Sequence, residues 1–167
     1  MELITGRTIL FPITVDIIDA IIKQTQELKI NEYHYNEEWP EADLREAFPV
    51  FRELLESNGT DGFNLWLIAE KESRLIIGSA GYMGKPDNEG IIEIGFGIIP
   101  GKRGNGFCSE SVRALLKWGL CRNGVHTIIA RCEKSNTASQ KTIARLGFKF
   151  IGTDDGLMKW ELKNGHK

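Results

Sequence analysis

The chain has 167 residues, 41% of them hydrophobic and 26% charged, a length and balance that fit one compact domain with its own core and exclude a disordered polymer. The formal net charge of −2, from 21 basic and 23 acidic residues, gives no electrostatic reason to expect a nucleic-acid partner. Cys108, Cys121 and Cys132 cannot all pair within one chain and form no C-x-x-C arrangement, so they read as reduced thiols of a cytoplasmic protein.

The opening stretch, MELITGRTILFPITVD, has no basic segment followed by a long apolar run and does not read as a signal peptide. No run approaches the roughly 20 apolar residues that span a bilayer, so no membrane partner is expected. Thr8 to Pro12 reads as an edge strand, because Pro12 cannot donate to a sheet ladder. Asp16 to Leu28 carries a helical apolar stripe at Ile17, Ile18, Ile21, Ile22 and Leu28. An aromatic and acidic stretch follows from Asn31 to Trp39. Glu41 to Glu56 is helical again on Leu44, Phe48, Phe51, Leu54 and Leu55, and Pro49 inside it predicts a kink or a split.

Beyond the turn cluster Asn58-Gly59-Thr60-Asp61-Gly62 the pattern changes. Phe63 to Glu70, Leu75 to Met83 and Gly90 to Ile99 are apolar, β-branched runs that predict an antiparallel meander. Gly106 to Arg122 predicts a helix with Val112, Leu115, Leu116 and Gly119 inward, stopped by Asn123-Gly124. Thr127 to Cys132 reads as a strand and Asn136 to Leu146 as a helix ended by Gly147. Phe148 to Thr153 and Leu157 to Leu162 form two last strands around Asp154-Asp155-Gly156, a hairpin signal. The order β-α-α-β-β-β-α-β-α-β-β is that of a mixed α/β domain rather than a doubly wound sheet.

The richest segment is Gly95 to Glu110, GFGIIPGKRGNGFCSE. A strand ends at Pro100, a loop holds Gly101, Gly104 and Gly106, and a helix begins. Glycines let backbone N–H groups converge on one point, and the helix start adds unpaired donors and a partial positive charge. With Lys102 and Arg103 this makes a diphosphate cradle. It is not a nucleotide-hydrolase P-loop, because Phe107-Cys108 follows Gly106. Nor is it the dinucleotide fingerprint, because Gly104-Asn105-Gly106 leads to Ser109 rather than to a third glycine. A plain glycine-rich turn would use the same residues.

Arg103-Gly104-Asn105-Gly106-Phe107-Cys108 resembles the Q/R-x-x-G-x-G/A motif with which GNAT acetyltransferases grip the CoA pyrophosphate. Arg103 and Gly106 match it, and Cys108 stands where glycine or alanine is usual. Phe107-Cys108-Ser109-Glu110-Ser111, Asn136-Thr137-Ala138-Ser139 and Leu146-Gly147-Phe148 resemble the signatures of the RimJ/RimL branch, which acetylates ribosomal-protein N-terminal amines. The resemblance runs from about Thr8 to Leu162. It implies a single GNAT domain over residues 1–167, α/β with a mostly antiparallel mixed central sheet and helices on both faces. It also implies acetyl-CoA as co-substrate and an amine acceptor, a peptide N-terminus or a small amine. A homodimer is common in the family.

An amine attacks a thioester only when unprotonated, and an alkylamine has a pKa near ~10. The site therefore needs a proton acceptor, an oxyanion donor and a proton source for the departing thiolate. Alternation from Ile91 to Ile99 puts Ile92, Ile94, Phe96 and Ile98 on one face and Glu93, Gly95 and Gly97 on the other. A carboxylate beside two glycines suits a cleft where a ligand comes close. By resemblance Glu93 is the candidate base, and an ion-paired strand glutamate is the alternative. Ser139 is the candidate acid by the same resemblance; a helix-start serine bonded to backbone would look alike. The tyrosine that many relatives use one helical turn further on is Ile143 here. Asn136 reads as an N-cap and, by resemblance, also as a CoA contact. The family's strand parts from its neighbour near Phe96, Gly97 and Ile98 to admit pantetheine, and a backbone N–H there is the expected oxyanion donor.

The acceptor site is expected at Tyr33, His34, Tyr35 and Trp39, where aromatic faces and nearby carboxylates suit a cationic amine; a solvated loop with packed aromatics is the alternative. His34, His126 and His166 have no metal-ligand spacing, so no metal is expected. The cysteines read as small packing residues rather than nucleophiles. The favoured acceptor is a protein N-terminal α-amine. A polyamine or other small amine comes second, and a CoA-binding sensor without catalysis is the rival from another class.

Overall fold

The computed structural model describes residues 1–23, 32–59 and 61–165. Among these, eight strands are formed: β1 (Leu3–Ile4), β2 (Thr8–Pro12), β3 (Leu65–Glu70), β4 (Ile76–Tyr82), β5 (Ile91–Ile98), β6 (Thr127–Cys132), β7 (Lys149–Asp154) and β8 (Leu157–Lys163). They join in one sheet, ordered β1-β2-β3-β4-β5-β6-β8-β7. Every pairing is antiparallel except β5 with β6. Four helices flank the sheet: α1 (Val15–Ile22), α2 (Ala42–Asn58), α3 (Phe107–Leu120) and α4 (Thr137–Arg145). The expected meander is β3-β4-β5, and Asp155 and Gly156, both at positive φ, make the tight turn of the β7–β8 hairpin.

Register decides which side chains face which layer. Phe11, Leu67, Ser79 and Gly97 stand in one row across β2 to β5, and alternation sends their neighbours to the opposite face. On that opposite face lies α3: Thr8 Oγ1 meets Ser111 Oγ at 2.9 Å, and Tyr82 Oη donates to Leu115 O at 2.8 Å. Val112, Leu115, Leu116 and Gly119 of α3 are all buried, as their spacing predicts. α4 packs beside α3 and against β6. α2 supplies Ala42, Leu44 and Phe51 to the first face, over Ser79 and Gly97.

Three expectations change. Thr8–Pro12 is not the edge: the short β1 lies outside it, bonding only at Ile9 and Leu10, and Pro12 sits beyond its reach, so its missing donor costs nothing there. α2 runs through Pro49 as one helix of 17 residues. Proline costs about 3 kcal/mol inside a helix, but Phe48, Phe51 and Leu55 are buried on the same element, and each such side chain returns about 1.5–3 kcal/mol. α1 ends at Ile22, and the part of its expected stripe at 24–28 lies outside the described residues.

Candidate active site

The parallel ladder between β5 and β6 holds three register pairs, Ile91 with Thr127, Ile92 with Ile128 and Glu93 with Ile129. Beyond Glu93 the two strands part, although β5 runs on to Ile98 and β6 to Cys132. The amide of Ile99 bonds to Ile77 O, and that of Met83 to Glu93 O. Odd-numbered residues of β5 thus turn their backbone groups toward β4, and Phe96 and Ile98 turn theirs toward the open side. This is the splay that sequence could not reveal.

A cleft of about 660 Å³ occupies the gap, within the range of small-molecule sites. Its floor is Ser79, Gly81, Gly95 and Gly97, with Phe96 and Ile98 at the opening. Its walls are Glu41, Asp43 and Leu44 on one side and Asn136, Ser139 and Thr142 on the other. At one end is the glycine loop. Gly104 and Gly106 take φ of 76° and 80°, left-handed backbone that side-chain-bearing residues adopt only with strain. The first intrahelical bond of α3 runs from Glu110 N to Gly106 O, so the amides of Phe107, Cys108 and Ser109 have no acceptor within the helix and face an anion-ready end. Lys102, Arg103 and Arg145 line the same cleft.

The loop is tied from outside. Glu110 accepts from Thr5 Oγ1 at 2.6 Å, from Arg7 N at 2.7 Å and from Arg7 Nε at 2.8 Å. Burial alone would raise its carboxyl, and these hydrogen bonds outweigh that effect, so the group titrates below its ordinary value. The Arg7 guanidinium lies 4.5 Å from the Phe107 ring centroid and bonds Asn105 O at 3.0 Å. Asn105 itself is not a lining residue: its side chain donates to Arg103 O at 3.0 Å and closes the loop. Lys102 is held by Glu70 at 2.9 Å. Arg103 Nε bonds Ile98 O at 2.8 Å, and its Nη2 pairs with Glu41 Oε1.

Glu93 sits at the apex of the splay, on the same strand face as Gly95 and Gly97 and half-buried. Its Oε2 is 3.8 Å from Arg131 Nη1, and Arg131 also pairs with Asp154 at 3.1 Å. Glu93 lies at the margin of the cleft rather than in its lining. Asn136 is the N-cap of α4, its Oδ1 accepting from Ser139 N at 3.0 Å, and both residues line the cleft. Ile143 is buried and supplies no hydroxyl. Burial pushes the Cys108 thiol up to about 12, so it is neutral near pH 7 and unsuited to nucleophilic attack.

Tyr33, His34, Tyr35 and Trp39, expected at the acceptor site, lie outside the cleft lining. Tyr33 stacks on Phe11 at 4.7 Å between centroids, and its Oη accepts from Arg74 at 3.1 Å. Trp39 is buried between Tyr35 and Phe48, and His34 bridges Leu75 through backbone. Tyr33 and Trp39 are thus buried rings of the core, which stabilises the fold, whereas His34 is exposed and Tyr35 half-buried. Just beyond this stretch two acidic residues line the cleft, Asp43 and Glu41, and of the two Glu41, which no motif singles out, is held by Arg103. Its signal was its place just before a helix beside an acidic run, but the 62 residues separating it from Arg103 hid the pairing.

No group of three or more His, Cys, Asp or Glu among the described residues could hold a metal ion. No helix among them is long and apolar enough to cross a membrane.

The parallel strand pair β5–β6 thus opens beside a helix start whose free amides suit an anion. Residues 7–149 match the family model for the acetyltransferase (GNAT) domain. The chain is 45% identical over 146 residues to the uncharacterized N-acetyltransferase YjdG of Bacillus subtilis (strain 168), covering 86% of this chain and 87% of that protein. The fold resembles RimL, a ribosomal alpha-N-protein acetyltransferase solved with coenzyme A, with a TM-score of 0.69 at 15% identity over 98% of both chains. It also resembles a spermidine N-acetyltransferase SpeG chimera from Vibrio cholerae and hSSAT, with a TM-score of 0.67 at 15% identity over 95% of this chain and 96% of that one. The chain belongs to the GNAT acetyltransferase family, and it is an N-acetyltransferase.

Proposed function

We propose that this N-acetyltransferase is a single-domain cytoplasmic enzyme that moves acetyl from acetyl-CoA to a protein N-terminal α-amine. The open edge of β5, ending in the unpaired amides of α3, is the observation that carries the cofactor assignment. When bound there, acetyl-CoA supplies an activated acetyl thioester.

The chain's own groups divide the work. The amides of Phe107, Cys108 and Ser109, with Gly104 and Gly106 leaving room, hold the diphosphate. Phe96, Gly97 and Ile98 line the path of the pantetheine arm, and the Phe96 or Ile98 N–H holds the oxygen that becomes negative as the amine attacks. Glu93 takes the proton that the ammonium must lose, directly or through water. Ser139 gives its hydroxyl proton to the departing thiolate and takes back the second proton that the nitrogen sheds as the amide forms, with Asn136 fixing the helix start from which it projects.

The acceptor choice is supported by the RimJ/RimL-like runs at 107–111, 136–139 and 146–148. A small polyamine is the second reading, because Glu41 and Asp43 bring carboxylates to the cleft and the fold is also like that of a spermidine enzyme. CoA release from acetyl-CoA, measured with Ser- and Ala-initiated peptides, spermidine, free amino acids and an aminoglycoside, separates them. Preference for one peptide N-terminus is expected; preference for spermidine overturns the acceptor reading and keeps the chemistry. In the same assay Glu93→Gln should lower kcat by about 10²-fold or more, the scale of a lost general base. An unchanged kcat would remove Glu93 from that role.

A further inference from the structure

We propose that Glu41 is the carboxylate that receives the ammonium group of the acceptor, with Arg103 as the residue that positions it. The inference rests on the amine-transfer reading above and deepens it by placing the acceptor's charged head.

Two carboxylates reach the cleft from the start of α2, those of Glu41 and Asp43. Glu41 alone is fixed there. One oxygen, Oε1, is held by Arg103 Nη2, and Arg103 is itself held by the carbonyl of Ile98, the last residue of β5. The other oxygen, Oε2, has no hydrogen-bond partner among the described residues. It stands 3.1 Å from where a Cβ on Gly97 would lie, directly above the strand whose far edge is open. Next along the same face is Gly95, with nothing within 4 Å of its Cβ position, and then Glu93. The empty ground over Gly95 is thus flanked by a carboxylate on each side, one from α2 and one from β5.

The two differ in their readiness to take a cation. Glu93 faces Arg131, which also holds Asp154. Glu41 faces Arg103, a member of the loop that forms the diphosphate cradle and a largely exposed side chain. With a diphosphate in that cradle the guanidinium is shared with further negative charge, and the carboxylate regains attraction for a cation. Acetyl-CoA binding would therefore precede and favour acceptor binding. A bland strut between loop and helix is the competing role for the same pair.

The test compares wild type, Glu41→Gln and Glu41→Asp. Acetyl-CoA Kd is measured by calorimetry, thermal midpoints check the fold, and KM and kcat are measured for a Ser-initiated tetrapeptide and for spermidine. Losing a charge-assisted hydrogen bond should raise the KM for whichever amine wild type accepts by about 10-fold or more. Acetyl-CoA Kd should stay within about twofold, and Glu41→Asp, which keeps the charge on a shorter stem, should fall between. Unchanged KM in Glu41→Gln overturns the assignment. So does a rise in acetyl-CoA Kd matching the loss in kcat/KM, which is the signature of a strut. If wild type releases no CoA with either amine, the acceptor reading itself fails and this assignment falls with it; an active wild type with an unaltered variant sinks Glu41 alone.

Discussion

At the start of α3 the Glu110 carboxylate accepts from Thr5 and twice from Arg7, fixing the helix end whose free amides face the cleft. Because these bonds favour the ionised form, the carboxyl titrates below its ordinary value although burial opposes this. The sign of the linkage follows. Between the folded and unfolded pKa values the unfolded chain binds more protons, so stability rises with pH in that window and is complete above the unfolded value of about 4.3. Asp19, lowered by its hydrogen bond from Arg52, and Glu70, lowered first by Ser73 and then by Lys102, act in the same direction. Thermal midpoints should hold steady from neutral pH down to about 4.3 and fall below it. Glu110→Gln should lower the midpoint at neutral pH and flatten the acid limb. An equal loss at neutral and acid pH would show that the residue's charge is not what matters.

Helix α3 meets the sheet through a glycine. A Cβ on Gly119 would lie 2.1 Å from Tyr82 Oη and 2.7 Å from its ring, and that hydroxyl is buried and bonded to Leu115 O. Gly119→Ala gains about 1 kcal/mol of helix propensity. Against that, it must push the ring aside at about 1–3 kcal/mol and break a buried bond at a similar cost. A net loss of about 2 kcal/mol is expected, some 4–8 °C in thermal midpoint for a chain of this size. Adding Tyr82→Phe removes the nearest clashing atom, so the double variant should lose less than the sum of the singles; strict additivity would disprove the contact. This element was legible in the sequence, as were most strands, because each buries a stripe whose period is local. Where sequence reading failed, the deciding partner was distant. Tyr33 and Trp39 carry the same signal whether they face a ligand or the core, and Phe11 and Phe48 decide the matter. Pro12 reads as an edge only until β1 is known to stop short of it. Glu93 and Ser139 were named from motif resemblance, and no local pattern could have added Glu41.

Across the whole molecule the sheet behaves as two ladders. β1 to β5 form one and β6, β8 and β7 the other, and between them lie only the three register pairs that end at Glu93. α3 bridges the two by packing against both β5 and β6. A ligand wedged in the splay would touch both ladders and complete the hydrogen bonding of the open edge. Two consequences can be measured together. Acetyl-CoA at 100 times its Kd should add about 2.7 kcal/mol of stability, raising the thermal midpoint by roughly 5–11 °C. Amide exchange should also slow where the edge and the helix start are open, at Phe96, Ile98 and Phe107 to Ser109, while β1 and β7 at the outer edges stay unchanged. A midpoint shift with protection spread evenly over the sheet would mean that the ligand tightens the fold without entering the splay. Protection confined to the helix start would mean that the diphosphate binds but the arm does not follow β5. Only slowing at both places fits an acetyl group delivered to the ground between Glu93 and Glu41.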